Sequence, residues 1–253
     1  MMTFISDTFT LAGRLIKHNL RSLDTIITVV LMPIALLLLM VYIFGGAIQI
    51  DGISHAQYVN YVLPGILLMT VATGSAYTAL RINMDKTSGM FDRFKTLPIS
   101  KSAVLNGQAV ASVVFMMTST LIVLAVGFIV GFRSDASLGE WLLVLLLLIG
   151  FAIAVTWLSV PFALAANSID GASAFSYLVL LLLFISSAFV PVTGMPKFVR
   201  IFAENQPMTH VIQALRQLLA AQPIGDHGWI ALAWLVGITI VSYLLGTRIY
   251  RHA

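Results

Sequence analysis

Trp141-Leu-Leu-Val-Leu-Leu-Leu-Leu-Ile-Gly150-Phe-Ala-Ile-Ala-Val-Thr-Trp157-Leu-Ser-Val-Pro161-Phe-Ala-Leu-Ala-Ala166 carries no charged side chain from end to end. A hydrocarbon layer about 30 Å thick is crossed by about 20 apolar residues in a helix, and this stretch exceeds that length. Lipid offers no partner to a backbone N–H or C=O, so an unbroken apolar run of this kind has to be helical. Barrel strands would be about 10 residues long and would alternate. Comparable runs recur near 25–48, 59–82, 103–131, 172–193 and 229–249. The fold class expected is therefore an all-α integral membrane protein with six transmembrane helices. Composition agrees: 59% of residues are hydrophobic, 9% are charged and the mean hydropathy is +0.99, against roughly one-quarter charged in soluble domains. No separate soluble domain fits, and residues 1–253 read as one transmembrane domain.

Charge sets the expected orientation. Arg14, Lys17, Arg21, Arg81, Lys86, Arg93, Lys95, Lys101, Arg248 and Arg251 fall on one side of these spans, and Arg133, Lys197, Arg200 and Arg216 fall on the other. The richer side is cytoplasmic by the positive-inside rule, which puts both termini inside. The net charge of +4 and pI near 9.5 come from basic residues scattered at helix ends. That pattern points to membrane lipids as partners rather than nucleic acid. The chain has no cysteine, which excludes disulfides, thiol catalysis and cysteine metal sites. Residues 3–22 are amphipathic, with Ile5, Phe9, Ala12, Ile16 and Leu20 opposite Asp7, Arg14, Lys17 and Arg21. The apolar stretch that follows is too long for a signal-peptide core and has no small-residue cleavage site. Residues 1–24 are thus expected to persist as an interfacial helix, either a plain anchor or an element that transmits motion.

Between the second and third spans, Met90, Phe91, Phe94 and Leu97 recur at helical spacing among Asp92, Arg93 and Lys95, and Pro98 ends the pattern. Two aromatics ringed by charge suit insertion into a groove on another protein, and equally suit a helix lying on lipid. Between the fifth and sixth spans, Pro191, Pro196, Pro207 and Pro223 divide 194–228 into short pieces. Val211, Ile212, Leu215, Leu218 and Leu219 give one piece an apolar face. Glu204, His210 and Arg216 lack a matched nucleophile or metal-ligand spacing, so hydrogen-bonded structural roles are favoured and no catalytic or metal residue is assigned. Neither G-x-S-x-G nor H-E-x-x-H is present to support an intramembrane enzyme.

Inside the spans the polar groups are mild. Thr70, Thr73 and Tyr77 in the second and Ser176 and Tyr177 in the fifth are candidates to line a substrate pathway. Ser112, Thr118, Ser119 and Thr120 lie in the third. Serine and threonine serve equally as interhelical packing residues or as back-bonded side chains. No Asp, Glu, Lys, Arg or His is placed near a span midplane, where a proton-coupled carrier needs a relay. Energy delivered by a partner is favoured over proton coupling.

The run Asp85-Lys86-x-Ser88-Gly89-Met90-Phe91-Asp92-Arg93-Phe94-Lys95-x-Leu97-Pro98-Ile99-Ser100-Lys101 resembles the cytoplasmic loop of ABC type 2 export permeases of the daunorubicin-resistance kind. Phe189-Val190-Pro191-Val-Thr-Gly-Met195-Pro196, followed by Phe202-Ala-Glu204-Asn205-Gln206-Pro207-Met208-Thr209-His210 and Ala214-Leu215-Arg216, resembles that family's segment between spans five and six. The resemblance implies a permease subunit that dimerises, as a homodimer, and binds two copies of a cytoplasmic ABC ATPase. ATP and Mg would sit on that ATPase, with no cofactor on this chain. It implies further that 83–102 is the coupling loop, with Met90, Phe91, Asp92, Arg93, Phe94, Lys95 and Leu97 against the ATPase. The segment 194–228 would be a pair of short re-entrant or extracellular helices closing the exit, with Pro191, Glu204, Asn205, Pro207, His210 and Arg216 in the gate. The substrate implied is hydrophobic or amphipathic and drug-like, and the location a prokaryotic plasma membrane. The chain has no G-x-x-x-x-G-K-[ST] phosphate loop, in keeping with a separate ATPase. Export of a lipid-linked glycan, polysaccharide or lipid, and a membrane scaffold that moves nothing, are the alternatives.

Overall fold

The computed structural model describes residues 8, 10–16, 22–45, 55–90 and 101–252. Among these residues there is no strand, and a helical segment at 10–16 and a 3-10 turn at Val192–Gly194 accompany eight longer helices. They are α1 (Leu23–Phe44), α2 (His55–Thr87), α3 (Lys101–Val130), α4 (Leu138–Ala165), α5 (Ile169–Phe184), α6 (Lys197–Asn205), α7 (Pro207–Leu219) and α8 (Gly225–His252). Helices α1, α2, α3, α4 and α8 are each long and apolar enough to cross a membrane. Within α1, Ile27–Leu31 and Met40–Phe44 are π-helical.

The least apolar of the five long helices, α2, is the most buried, packing against α3, α4, α5 and α7. Tyr58, Thr70, Thr73, Thr78 and Asn83 of this helix are buried inside the bundle. Helices α1, α3 and α8 turn Tyr42, Ile43, Leu121, Ile129 and Leu244 outward, as lipid-facing helices do. Arg14, Arg81, Lys86 and Arg248 mark one end of the bundle, here the basic end. Arg133, Lys197, Arg200 and Arg216 belong to the far end.

The apolar run expected to span 172–193 is helical only to Phe184. Past that point the chain turns, because side chains take over the carbonyls that a continuing helix would have satisfied. The Ser186 hydroxyl donates to Leu183 O, and Gln206 Nε2 donates to Leu182 O at 2.8 Å. Hydropathy does not register such caps. The turn then packs into α2 at Gly65, where an added Cβ would lie 2.8 Å from Ala188 Cβ and 3.0 Å from Ala188 O. Gly65→Ala should therefore destabilise the protein by about 1–3 kcal/mol, read as a lower thermal midpoint, with Ala188→Gly recovering part of the loss.

Gly127 and Gly131 divide two tasks. An added Cβ at Gly127 would meet Leu63 Cδ1 of α2 at 2.9 Å, so Gly127 sets the α2–α3 approach. Gly131, at φ +118, ends α3, and Phe132 N donates back to Gly127 O at 2.9 Å. At the start of α4, Ser137 and Glu140 form a reciprocal capping box. Helix α4 runs along α8, with the Trp157 and Tyr243 rings meeting edge to face at 4.7 Å.

Candidate coupling and gating sites

At the far end, α7 presents Arg216 to the turn that follows α5. Arg216 Nε and Nη2 donate to Tyr61 O at 3.0 and 2.8 Å, and Nη2 also donates to Ser187 O at 2.7 Å and Ala188 O at 3.0 Å. The guanidinium lies 3.6 Å from the centroid of the Tyr61 ring, a cation–π contact. Pro64 has no N–H to give the carbonyl of Asn60, so the α2 ladder is interrupted in this turn. Arg216 thereby ties an interrupted helix to the end of a stopped one. Burial pushes the guanidinium down from its usual pKa, and Tyr61 opposes that shift. The Ser187 amide donates to Thr209 Oγ1 at 3.3 Å, a second tie between the turn and α7.

The remaining gate candidates do not converge on one point. Pro191 is half-exposed in the turn, and Pro207 is the first residue of α7, where its missing N–H costs nothing. Glu204 pairs with Arg200 at 2.7 Å across one turn of α6, and Asn205 Nδ2 caps Ile201 O at 2.8 Å. His210 is buried, and its Nδ1 lies 3.0 Å from Nδ1 of His227 in the first turn of α8. One ring must hold its Nδ1 proton while the other offers a lone pair. Burial first and then the His227 ring hold His210 below the ordinary histidine pKa.

At the basic end, the last turns of α2 reach across to the end of α4. Asn83 Nδ2 donates to Ala163 O at 3.1 Å and Ala166 O at 2.8 Å. Lys86 Nζ donates to Leu164 O at 2.7 Å and Ala166 O at 3.2 Å. A cation on the last carbonyls of a helix also meets the negative end of its dipole. Neither the role of Lys86 nor that of Asn83 is legible in the sequence. Their partners lie about eighty positions downstream, beyond the reach of helical periodicity.

Of the proposed ATPase contacts, Met90 is described and half-buried, whereas Phe91, Asp92, Arg93, Phe94, Lys95 and Leu97 lie outside the described residues. Met90 lines a cavity of about 490 Å³ enclosed by residues 10–16, the start of α1, the end of α2 and the start of α3. Tyr77 lines it too, and its hydroxyl donates to Thr28 Oγ1 at 2.9 Å. Thr70 and Thr73 donate back to Ile66 O and Met69 O within α2. Ser176 is half-buried on α5 and Tyr177 points outward. In α3, Thr118, Ser119 and Thr120 are likewise back-bonded, while Ser112 accepts from Thr78 at 2.8 Å across the α2–α3 seam. A second, apolar groove of about 680 Å³ opens between α4, α7 and α8, with Leu147, Gly150, Leu218, Gly228 and Leu232 in its walls.

Residues 6–220 match the ABC-2 type transporter family. The chain belongs to that family. The permease is 32% identical over 229 residues to a daunorubicin resistance ABC transporter permease of Streptomyces coeruleorubidus, a match covering 90% of this chain and 80% of the relative. It is 23% identical over 250 residues to a protein of Mycobacterium tuberculosis designated a probable doxorubicin resistance ABC transporter permease, covering 99% and 90%. A transport permease of Cyanophora paradoxa is 27% identical over 249 residues, covering 96% and 82%. The chain is thus a multi-pass membrane permease of a kind that works with a cytoplasmic ABC ATPase.

Proposed function

We propose that this permease moves a hydrophobic or amphipathic, drug-like compound outward across a prokaryotic plasma membrane. In this reading it works as one of two identical copies, driven by two ATPase subunits that carry the ATP and Mg. The observation that carries the reading is the match over 90% of the chain to a permease named for daunorubicin resistance. The charge asymmetry supports placing the basic end, and with it both termini, in the cytoplasm. Helix α5 would be the fifth of six spans. Its 16 residues rise about 24 Å, short of the hydrocarbon thickness, so the turn and the far-end helices α6 and α7 would complete the crossing from outside as the exit gate.

The coupling loop supplies the test. Phe91 and Phe94 are proposed to seat in the ATPase, with Arg93 and Lys95 complementing its charge. In nanodiscs containing the permease and its ATPase, amphipathic drugs should stimulate ATP hydrolysis. The Phe91→Ala, Phe94→Ala double variant should insert normally and lose that stimulation. Full stimulation in the double variant would remove these residues from the coupling contact, and failure of the permease to bind an ATPase would leave the scaffold alternative standing. Stimulation by lipid-linked glycans in place of drugs would reassign the substrate.

A further inference from the structure

The cavity at the basic end has a polar wall that is incompletely satisfied. Gln108 is buried, at 5% exposure, and its Nε2 donates to Asp85 Oδ2. That bond fixes which way the amide points, since a carboxylate accepts and does not donate. Gln108 Oε1 is then left buried with no hydrogen-bond partner, an arrangement relieved when a small shift of the amide lets a donor in from the cavity. Asp85 and Gln108 both line the cavity, together with Tyr77 and the apolar side chains of Leu80, Met84 and Val104. A volume of about 490 Å³ lies within the range of small-molecule sites, about 300–1,000 Å³.

We propose that this cavity is a binding site, within a single permease chain, for the polar end of an amphipathic amine taken from the inner leaflet. The ammonium donates to the Asp85 carboxylate and to Gln108 Oε1, and the apolar body lies against Leu80, Met84 and Val104. The cytoplasmic placement rests on the exporter reading above.

Among the described residues, the charges around the cavity are Arg14 and Arg81 against Asp24 and Asp85, two of each sign. They differ in how firmly they are held. Asp85 is pinned by Gln108, whereas Arg14 is exposed on the amphipathic segment and its long side chain can extend to headgroup phosphates. Arg81, one turn before Asp85 on α2, attracts the same carboxylate, so an ammonium shares Asp85 with Arg81, and the carboxylate held by Gln108 is the fixed group that selects a donor over an anion.

The test measures binding directly and therefore does not depend on transport. The full chain in phosphatidylcholine nanodiscs, without nucleotide, is titrated with a dansyl-labelled long-chain primary amine and with the matched dansyl-labelled fatty acid. The amine should bind in preference to the acid. Asp85→Asn should weaken amine binding at least tenfold and Gln108→Leu about threefold, with acid binding unchanged. Leu80→Trp fills the cavity from its apolar wall without touching Asp85, so it should abolish amine binding even if Asp85→Asn folds poorly. Amine affinity unchanged from the parent in both Asp85→Asn and Leu80→Trp overturns the site. Preferred binding of the acid, lost in Arg14→Gln, overturns it in favour of an anionic headgroup site. Amine binding with no ATPase partner would sink the exporter reading and leave the site intact.

Discussion

Arg216→Met should melt about 10 °C below the unmodified permease. The substitution keeps an unbranched apolar stem in place and removes the donors that hold Tyr61 O, Ser187 O and Ala188 O. A buried carbonyl left without a donor costs about 1–3 kcal/mol, and relaxation of the turn recovers part of that. A net loss of about 3–5 kcal/mol corresponds to about 10 °C for a chain of this size, at roughly 2–4 °C per kcal/mol. Arg216→Lys should recover only a minority of the loss. One ammonium cannot fork among three carbonyls while stacking on the Tyr61 ring. Thermal unfolding in detergent reads both variants, and limited proteolysis should show residues 185–196 newly open to cleavage. A methionine variant that melts with the parent and resists proteolysis would mean that the turn is held by Thr209 and Gln206 alone.

Much of this architecture was visible in the sequence because lipid imposes a simple requirement. Any backbone that crosses it must satisfy itself, so long apolar runs announce helices and their lengths announce spans. The same logic explains the misjudged end of α5. The residues from Ile185 to Val190 are as apolar as a span, and what stops the helix is a set of caps from Ser186, Gln206 and Arg216. Arg216 and His210 stood out as charged or titratable residues in an otherwise apolar piece. Their partners Tyr61 and His227 did not, since each lies on a different helix. Hydropathy reports that a hydroxyl is present and not where it points, so the back-bonds of Thr70 and Thr73 onto their own helix were open alternatives in the sequence and are visible only in the structure. Gln108 carried no signal at all, as its significance depends on Asp85 lying opposite it on α2.

The last turns of α2 should determine how ATPase movement enters the bundle. Asn83 and Lys86 lie in the first residues of the proposed coupling loop, 83–102, and between them they hold the carbonyls of Ala163, Leu164 and Ala166 at the end of α4. Hydrogen bonds with a charged donor contribute about 1.5–3 kcal/mol, enough to make the end of α4 follow the end of α2. Helix α4 in turn packs along α8, so a displacement imposed on the loop passes through one capped helix end into the side of the bundle away from α1. Lys86→Met keeps the stem and deletes the ammonium. It should leave ATPase binding and basal hydrolysis unchanged while cutting drug-stimulated hydrolysis about tenfold, with Asn83→Leu acting in the same direction. Combining Lys86→Met with the Phe91/Phe94 double change should add nothing further, because groups acting in series on one relay are not additive. Lys86→Arg, which can still reach the same carbonyls, should restore most of the stimulation. Additive losses, or a Lys86→Met variant that is stimulated normally, would place the route from ATPase to bundle elsewhere, with the 10–16 segment, packed on α3 at Gly107, as the next element to test.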